Sequence, residues 1–401
     1  MPVRFILQIL AVALLVTTVA ARAGIHRVYP GESIQAAIDA ANPGDTILVE
    51  PGDYYEDAAS LYGLRITKDN LRLIGKSENS HSHPSGTDGG MSNRVRLIAN
   101  GAQETGIYVA PAGCEYKDSA CADELQGFYL RGFSVEGYPV NGIQTRWVNG
   151  FHFVRNASVN NRNNGIYPTL SSNGLVRDNI SYGSLDTAMW VAGSEHIRVI
   201  GNELFGSVIG FEITVSNQIQ VRHNKIYDNT VGVGLFHPNG AGNPPLPVME
   251  NWIIEHNHIH DNNRPNRAPD GSFQADLPPG AGVLLMGVSN HVVDKNRVAN
   301  NDFVGIGVLG WCSATTGTDN SCDNRPPISD PAANNNQVSL NILNGNGESP
   351  PGGIFDFLAS DLVYFQFEVT DGAGNCFKNN KPEALTFVSS TPGGELPSDN
   401  C

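Results

Sequence analysis

The chain has 401 residues, of which 40% are apolar and 16% charged: enough apolar content for a long core, and too little charge for a disordered or coiled-coil chain. The net charge of −15 argues against nucleic acid, an anionic membrane surface and, less strongly, a polyanionic glycan as partner.

Residues 1–23 carry a lone Arg4, an apolar run from Phe5 to Val16 and the small-x-small site Ala21-Arg22-Ala23, the pattern of an export signal cleaved after Ala23. The run is too short for an ordinary spanning helix and no second one follows, so a secreted or periplasmic monomer without a membrane span is expected. Six cysteines fall in three local pairs, Cys114/Cys121, Cys312/Cys322 and Cys376/Cys401, which in an exported chain read as three disulfide clasps.

From Gly31 to Asp53 the sequence predicts a short helix and then a strand. Ser33 is its cap, Ile34, Ala37, Ile38 and Ala41 share one face, Asn42-Pro43-Gly44 ends it, and Thr46 to Glu50 is extended. Residues 24–126 are expected to form this cap and some irregular first coils, residues 127–360 a regular array, and residues 361–401 a strand and clasped tail at the far end.

The regular stretch, read as eight coils, repeats one pattern: an Asn, an apolar or small residue two places on, a second Asn five places on, then a strand that often opens on Gly. The first Asn recurs at 156, 179, 202 and 224, then at 257, 296 and 341. The wider intervals hold insertions at 239–247, 264–279 and 312–334. The second position reads Asn161, Ser184, Ser207, Asn229, Asn262, Asn301 and Asn346, with the two serines expected to weaken the column. Stacked inward asparagines bond to one another and to backbone freed at a bend, so the columns read as structural although Asn156 and Asn179 also open glycosylation sequons. Eight parallel coils at strand spacing would be about 40 Å long.

This repeat, with the opening Ile34-Gln35-Ala36-Ala37-Ile38 and Pro43-Gly44-Asp45-Thr46-Ile47, resembles the right-handed parallel β-helix proteins of the pectate lyase-like superfamily, most closely their carbohydrate-binding and sugar-hydrolase repeat subset. The resemblance covers most of residues 28–360 and implies an all-β solenoid. It leaves activity open among lyases, hydrolases, epimerases, adhesins and metal-handling periplasmic proteins.

Taking side chains to alternate along each Gly-Ile strand, one outward column holds Gln144, Tyr167, Trp190 and Glu212, with Phe236 beside Glu212 or displaced by two positions. A second holds Arg146, Thr169 and Thr214. Aromatic rings beside a carboxylate suit sugar rings, so a polysaccharide is the expected partner, with Gln144, Tyr167, Trp190 and Phe236 as binding residues and Glu212 and Arg146 as the catalytic candidates. The three insertions are expected to wall this groove. Asp186, four residues before Trp190 on a fully extended strand, reads as about 13 Å away and a poor partner for Glu212. The bland alternative is that the rings pack beneath the insertions. His223, His256 and His258 are weak metal candidates, a polar corner of solvated histidines being the simpler reading. No cofactor is expected, although Asp270, Asp276, Asp319 and Asp323 are acidic loop positions suited to calcium. The preferred function is binding, with cleavage or epimerisation, of an extracellular polysaccharide. The rivals are a non-catalytic adhesion protein and periplasmic metal handling.

Overall fold

The computed structural model describes residues 23–76, 94–115, 120–236, 249–316, 332–366, 374–381, 386–389 and 401. Among them the chain winds into three parallel sheets, each complete coil giving one strand to each in the order first, second, third. The first sheet has 12 strands from Ile25–Val28 to Cys376–Lys378, the second 10 from Gly52–Tyr54 to Ile342–Asn344, and the third 11 from Tyr62–Ile66 to Thr386–Ser389. This is a right-handed parallel β-helix.

The coils do not stop at Gly127 or Ser360. Ile25–Val28 already pairs with Thr46–Val49, and Ser360–Gln366 continues the third sheet beside Val304–Leu309. The first coils lack the asparagine spacing, whereas at the far end Ser360–Gln366 follows Asn341 and Asn346 and the column goes on to Asn380.

The helix Ile34–Ala40 closes the first coils as expected. Ser33 Oγ accepts the Ala36 N–H at 3.0 Å, and Ile34 and Ile38 are fully buried against the strands. Lys68 Nζ donates to the carbonyls of Ile38, Asp39 and Ala41, which neutralises the helix C-terminus.

The first asparagine column is continuous. Each Nδ2 donates to the next Oδ1, from Asn156 through Asn179, Asn202, Asn224, Asn257, Asn296 and Asn341 to Asn380. The same Oδ1 accepts the preceding asparagine's N–H, as Asn202 Oδ1 does from Asn179 at 2.9 Å. The residue before each asparagine is in the left-handed region, with φ between +53° and +58° at Arg155, Asp178, His223, His256, Lys295, Leu340 and Asn379 and +67° at Gly201, and most of these side chains are exposed at the bend. In the second column the chain of amide bonds runs from Asn229 to Asn346. At Ser207 and Ser184 only a hydroxyl remains to accept a backbone N–H, and Ser184 Oγ accepts none. A third corner column, absent from the sequence reading, stacks Ser171, Ser194 and Ser216 and later His291, Asn336 and Asn375. Its mixed residue types hide its period.

Cys114–Cys121 and Cys376–Cys401 are bridged. Cys312 is also disulfide-bonded, while Cys322 lies outside the described residues, as do residues 1–22 of the expected export signal and the 239–247 insertion. No described helix is long and apolar enough to cross a membrane.

Candidate active site

The outer face of the third sheet departs from simple alternation. Ala188 and Met189 are successive residues that both enter the core, so Thr187 and Trp190 both face outward. On the next strand Gly210 and Phe211 repeat the step, and Ile209 joins a second apolar cluster outside the sheet with Phe236, Leu284 and Met286. This outer cluster floors a cavity of about 740 Å³.

The 264–279 insertion roofs it. Asn266 Nδ2 donates to the carbonyls of Gln274 and Leu277 at 2.7 and 2.9 Å, holding the tight turn Phe273–Asp276, and Arg264 pairs with Asp228 at 2.5 Å. Phe273 then stacks on Trp311 at 5.4 Å and meets Phe236 edge-on at 5.3 Å. Trp311 opens the short helix Trp311–Thr316, so the start of the 312–334 insertion also forms a wall. Residues 317–331 of it lie outside the described residues.

Two carboxyls share this cavity. Thr187 Oγ1 lies 2.7 Å from Glu212 Oε2 and 3.1 Å from Asp186 Oδ1, so the bonded oxygens are less than about 6 Å apart. The expectation that Asp186 is too distant from Glu212 is therefore wrong, because the double inward step shortens the path along the strand and the long Glu212 side chain reaches back. Glu212 is 4% and Asp186 7% exposed. Burial pushes the Asp186 carboxyl up to about 6, opposed by hydrogen bonds from Thr187 and from Gln274 in the roof. Burial, reinforced by the negative charge of Asp186, holds Glu212 well above the usual carboxylate range. One proton between the two at neutral pH satisfies both facts.

Tyr167 and Trp190 lie in register with Glu212 as read, stacked at 4.6 Å and 10°. Trp190 lines the cavity and donates from Nε1 to Thr214 Oγ1 at 2.9 Å, whereas Tyr167 is buried behind it. Phe236 stands opposite Thr214, two positions from Glu212's partner Gly234, and its ring folds across that glycine. Gln144 and Arg146 are buried three strands from Glu212, about 14 Å away. Neither lines the cavity. Sequence reasoning set Asp186 aside as too distant and missed Thr187 and Gln274; the available signal was a carboxylate just before the strand Thr187–Ala192 beside one on the next strand, Ile209–Thr214.

His223 and His256 occupy equivalent left-handed corners, ring centroids 5.4 Å apart. His258 faces outward on the second sheet, 4.2 Å from His260. Among the described residues no group of three or more His, Cys, Asp or Glu converges as a metal-ligand set. Asp276 borders the cavity, Asp270 is exposed, and Asp319 and Asp323 lie outside the described residues.

Three parallel sheets closed by polar columns, with a walled cavity on one outer face, make this a right-handed parallel β-helix. By sequence, residues 93–272 match a family model described as periplasmic copper-binding protein (NosD). By structure, the chain is similar to the Azotobacter vinelandii mannuronan C-5 epimerase AlgE4 A-module, at 14% identity over 89% of this chain and 90% of that one, with a TM-score of 0.51. It is also similar to DFA-IIIase from Arthrobacter chlorophenolicus A6 without its lid, at 14% identity, 91% and 85% coverage and a TM-score of 0.51. The same enzyme in complex with GF2 gives 14%, 89%, 86% and 0.50. No curated protein matches the chain by sequence. At these identities the structural likeness is one of fold.

Proposed function

We propose that this is an exported carbohydrate-active β-helix protein whose cavity cleaves a glycosidic bond of a neutral sugar through the Asp186–Glu212 pair. The observation that carries this reading is the single hydroxyl of Thr187 bonded to both carboxyls. Their closeness is on the side of the two-carboxyl geometry used by retaining glycoside hydrolases rather than the wider inverting one. Glu212, held protonated by burial and by the charge of Asp186, gives its proton to the leaving oxygen. Asp186, ionised, attacks the anomeric carbon as the glycosidic bond breaks, and water then releases the sugar with Glu212 as base. The cavity volume fits one or two sugar rings, and its apolar walls suit their C–H faces.

No Lys, Arg or His lines the cavity among the described residues. A uronate carboxylate would meet no cation there, which weighs against the lyase and epimerase branches of the earlier expectation. The histidine corners do not assemble a copper-ligand set among the described residues, so nothing in the chemistry proposed runs through a metal. The disulfides and the apolar run of residues 5–16 support placement outside the cytoplasm.

The test is release of reducing ends from neutral oligosaccharides and aryl glycosides, with the product anomer followed by NMR. Net retention, and loss of about 10²-fold or more in kcat for Glu212→Gln and Asp186→Asn, is expected. An unsaturated product would instead assign elimination, and binding without turnover would assign the non-catalytic alternative.

A further inference from the structure

The outer face of the first sheet carries charge opposite to that of the chain as a whole. One register column there reads Ile74, Arg131, Val154, Arg177, Ile200 and Arg222 on successive coils before it turns acidic at Glu255 and Asp294, so the basic stretch spans Arg131 to Arg222. Arginine recurs on every second coil, ~9.6 Å apart at parallel-strand spacing, with an aliphatic side chain between. The neighbouring column reads Arg72, Tyr129, His152, Leu175 and Arg198. Arg72, Arg131, Arg177 and Arg198 are exposed, and Arg222 is half-buried.

Acidic side chains answer only part of this charge. Arg177 lies 3.4 Å from Asp178 and Arg222 3.1 Å from Glu255, while Arg72 sits over the Tyr129 ring at 4.6 Å. Arg131 and Arg198 have no carboxylate within ion-pair distance among the described residues. The field is felt locally: burial and then Arg198, Arg177 and Arg72 depress the proton affinity of His152. Beside Arg198 a groove of about 600 Å³ is lined by the hydrogen-bonding side chains of Asn173, His196, Gln218 and Gln220.

We propose that this face binds an extended anionic polysaccharide lying along the helix axis, its acidic groups meeting the arginines of every second coil. The period decides the class of partner. Duplex nucleic acid carries a charge every ~1.7 Å of axis, far denser than this row, and the remaining charge of a −15 chain would repel it. A polyuronate carries one carboxylate per sugar, and in an extended ribbon successive carboxylates point to opposite sides, so one side meets an arginine at every second sugar, while the half-buried Leu175 and Ile200 offer apolar contact to the rings between. The surface is separate from the third-sheet cavity and does not depend on how that cavity is read.

The experiment measures binding of the purified protein to polygalacturonate, to an uncharged glycan and to duplex DNA at low and high salt. The variant Arg131→Ser/Arg177→Ser/Arg222→Ser is compared with Lys225→Ser/Arg297→Ser/Arg162→Ser, which removes the same charge from exposed positions elsewhere. Arg198→Glu, at one exposed site, is a second probe that leaves the strands' packing intact. Salt-sensitive binding of polygalacturonate is expected, weakened about tenfold or more by the triple strip variant and by Arg198→Glu, and less than about twofold by the control. Absence of binding by the parent, equal loss in the control variant, or tighter binding of DNA than of the glycan overturns the proposal. Glycosidase activity in the cavity is measured alongside and is expected to be unchanged in all variants.

Discussion

Asp186 and Glu212 hydrogen-bond to one oxygen, the hydroxyl of Thr187, at 3.1 and 2.7 Å. A hydroxyl has one proton to give, so it cannot donate to two ionised carboxylates at once, and the third partner must itself bring a proton. Thr187→Val removes this link while keeping the branched shape. Because the bond to Thr187 lowers both carboxyl pKa values, its loss should raise them further and move the acid limb of the kcat profile to higher pH. A drop of about tenfold to a hundredfold in kcat at the optimum is expected, and a profile superimposable on the parent's would mean that the hydroxyl only fills space.

Stability should depend on pH through the same pair. The folded Asp186 pKa is raised from the ordinary 3.8 to about 6, so the folded state binds the proton more tightly than the unfolded one. The contribution is then fully present below about pH 4 and is lost as pH rises through about 6, with Glu212 adding the same sign at higher pH. Thermal unfolding followed across this window should show the midpoint falling as pH rises. Asp186→Asn, neutral at all pH, should flatten the slope and unfold later than the parent at neutral pH. An unchanged slope would show that the carboxyl is solvated.

The asparagine column gives a prediction about the scaffold. Asn202 accepts the N–H and Nδ2 of Asn179, each at 2.9 Å, and donates to Val176 and Asn224 at 3.0 and 2.9 Å. Asn202→Ala should cost on the order of 1–3 kcal/mol, since buried partners on both neighbouring coils lose their bonds. Ser184→Ala supplies the contrast, because Ser184 Oγ has no hydrogen-bond partner and its removal should cost less than about 0.5 kcal/mol. Denaturant midpoints of the two variants decide the matter. Equal effects would contradict the account of the column.

What the sequence discloses follows from what repeats. An inward amide needs the same residue type on every coil to find its partner, so Asn156 to Asn341 stand out by period alone. The serine and histidine corner at Ser171, Ser194, Ser216 and His291 meets a similar need with different side chains and leaves no such mark. The register of Trp190 on Glu212 could be counted from glycines. The meeting of Glu212 with Asp186 could not, because it depends on Ala188 and Met189 both turning inward, a step that strict alternation forbids. The roof was anticipated as an insertion, but Gln274 reaches Asp186 only through the fold that Asn266 imposes on it.

Trp190 separates a sugar-binding wall from a structural layer. Tyr167 covers one face of its indole at 4.6 Å, Nε1 is held by Thr214, and the rest of the ring borders the cavity. It is half-buried, so Trp190→Ala should cost ~1–3 kcal/mol, less than the ~3–5 kcal/mol of a wholly buried ring. Trp190 stands beside the carboxyls without bonding to them, so losing it should raise KM several-fold and leave kcat nearer the parent's. Trp190→Phe keeps an aromatic face but gives up the bond to Thr214, and should recover most of the KM with part of the stability. If Trp190→Ala instead costs the full price of a buried ring while KM is untouched, the indole supports the strand beneath the roof, and the sugar rests on the opposite wall formed by Phe273 and Trp311.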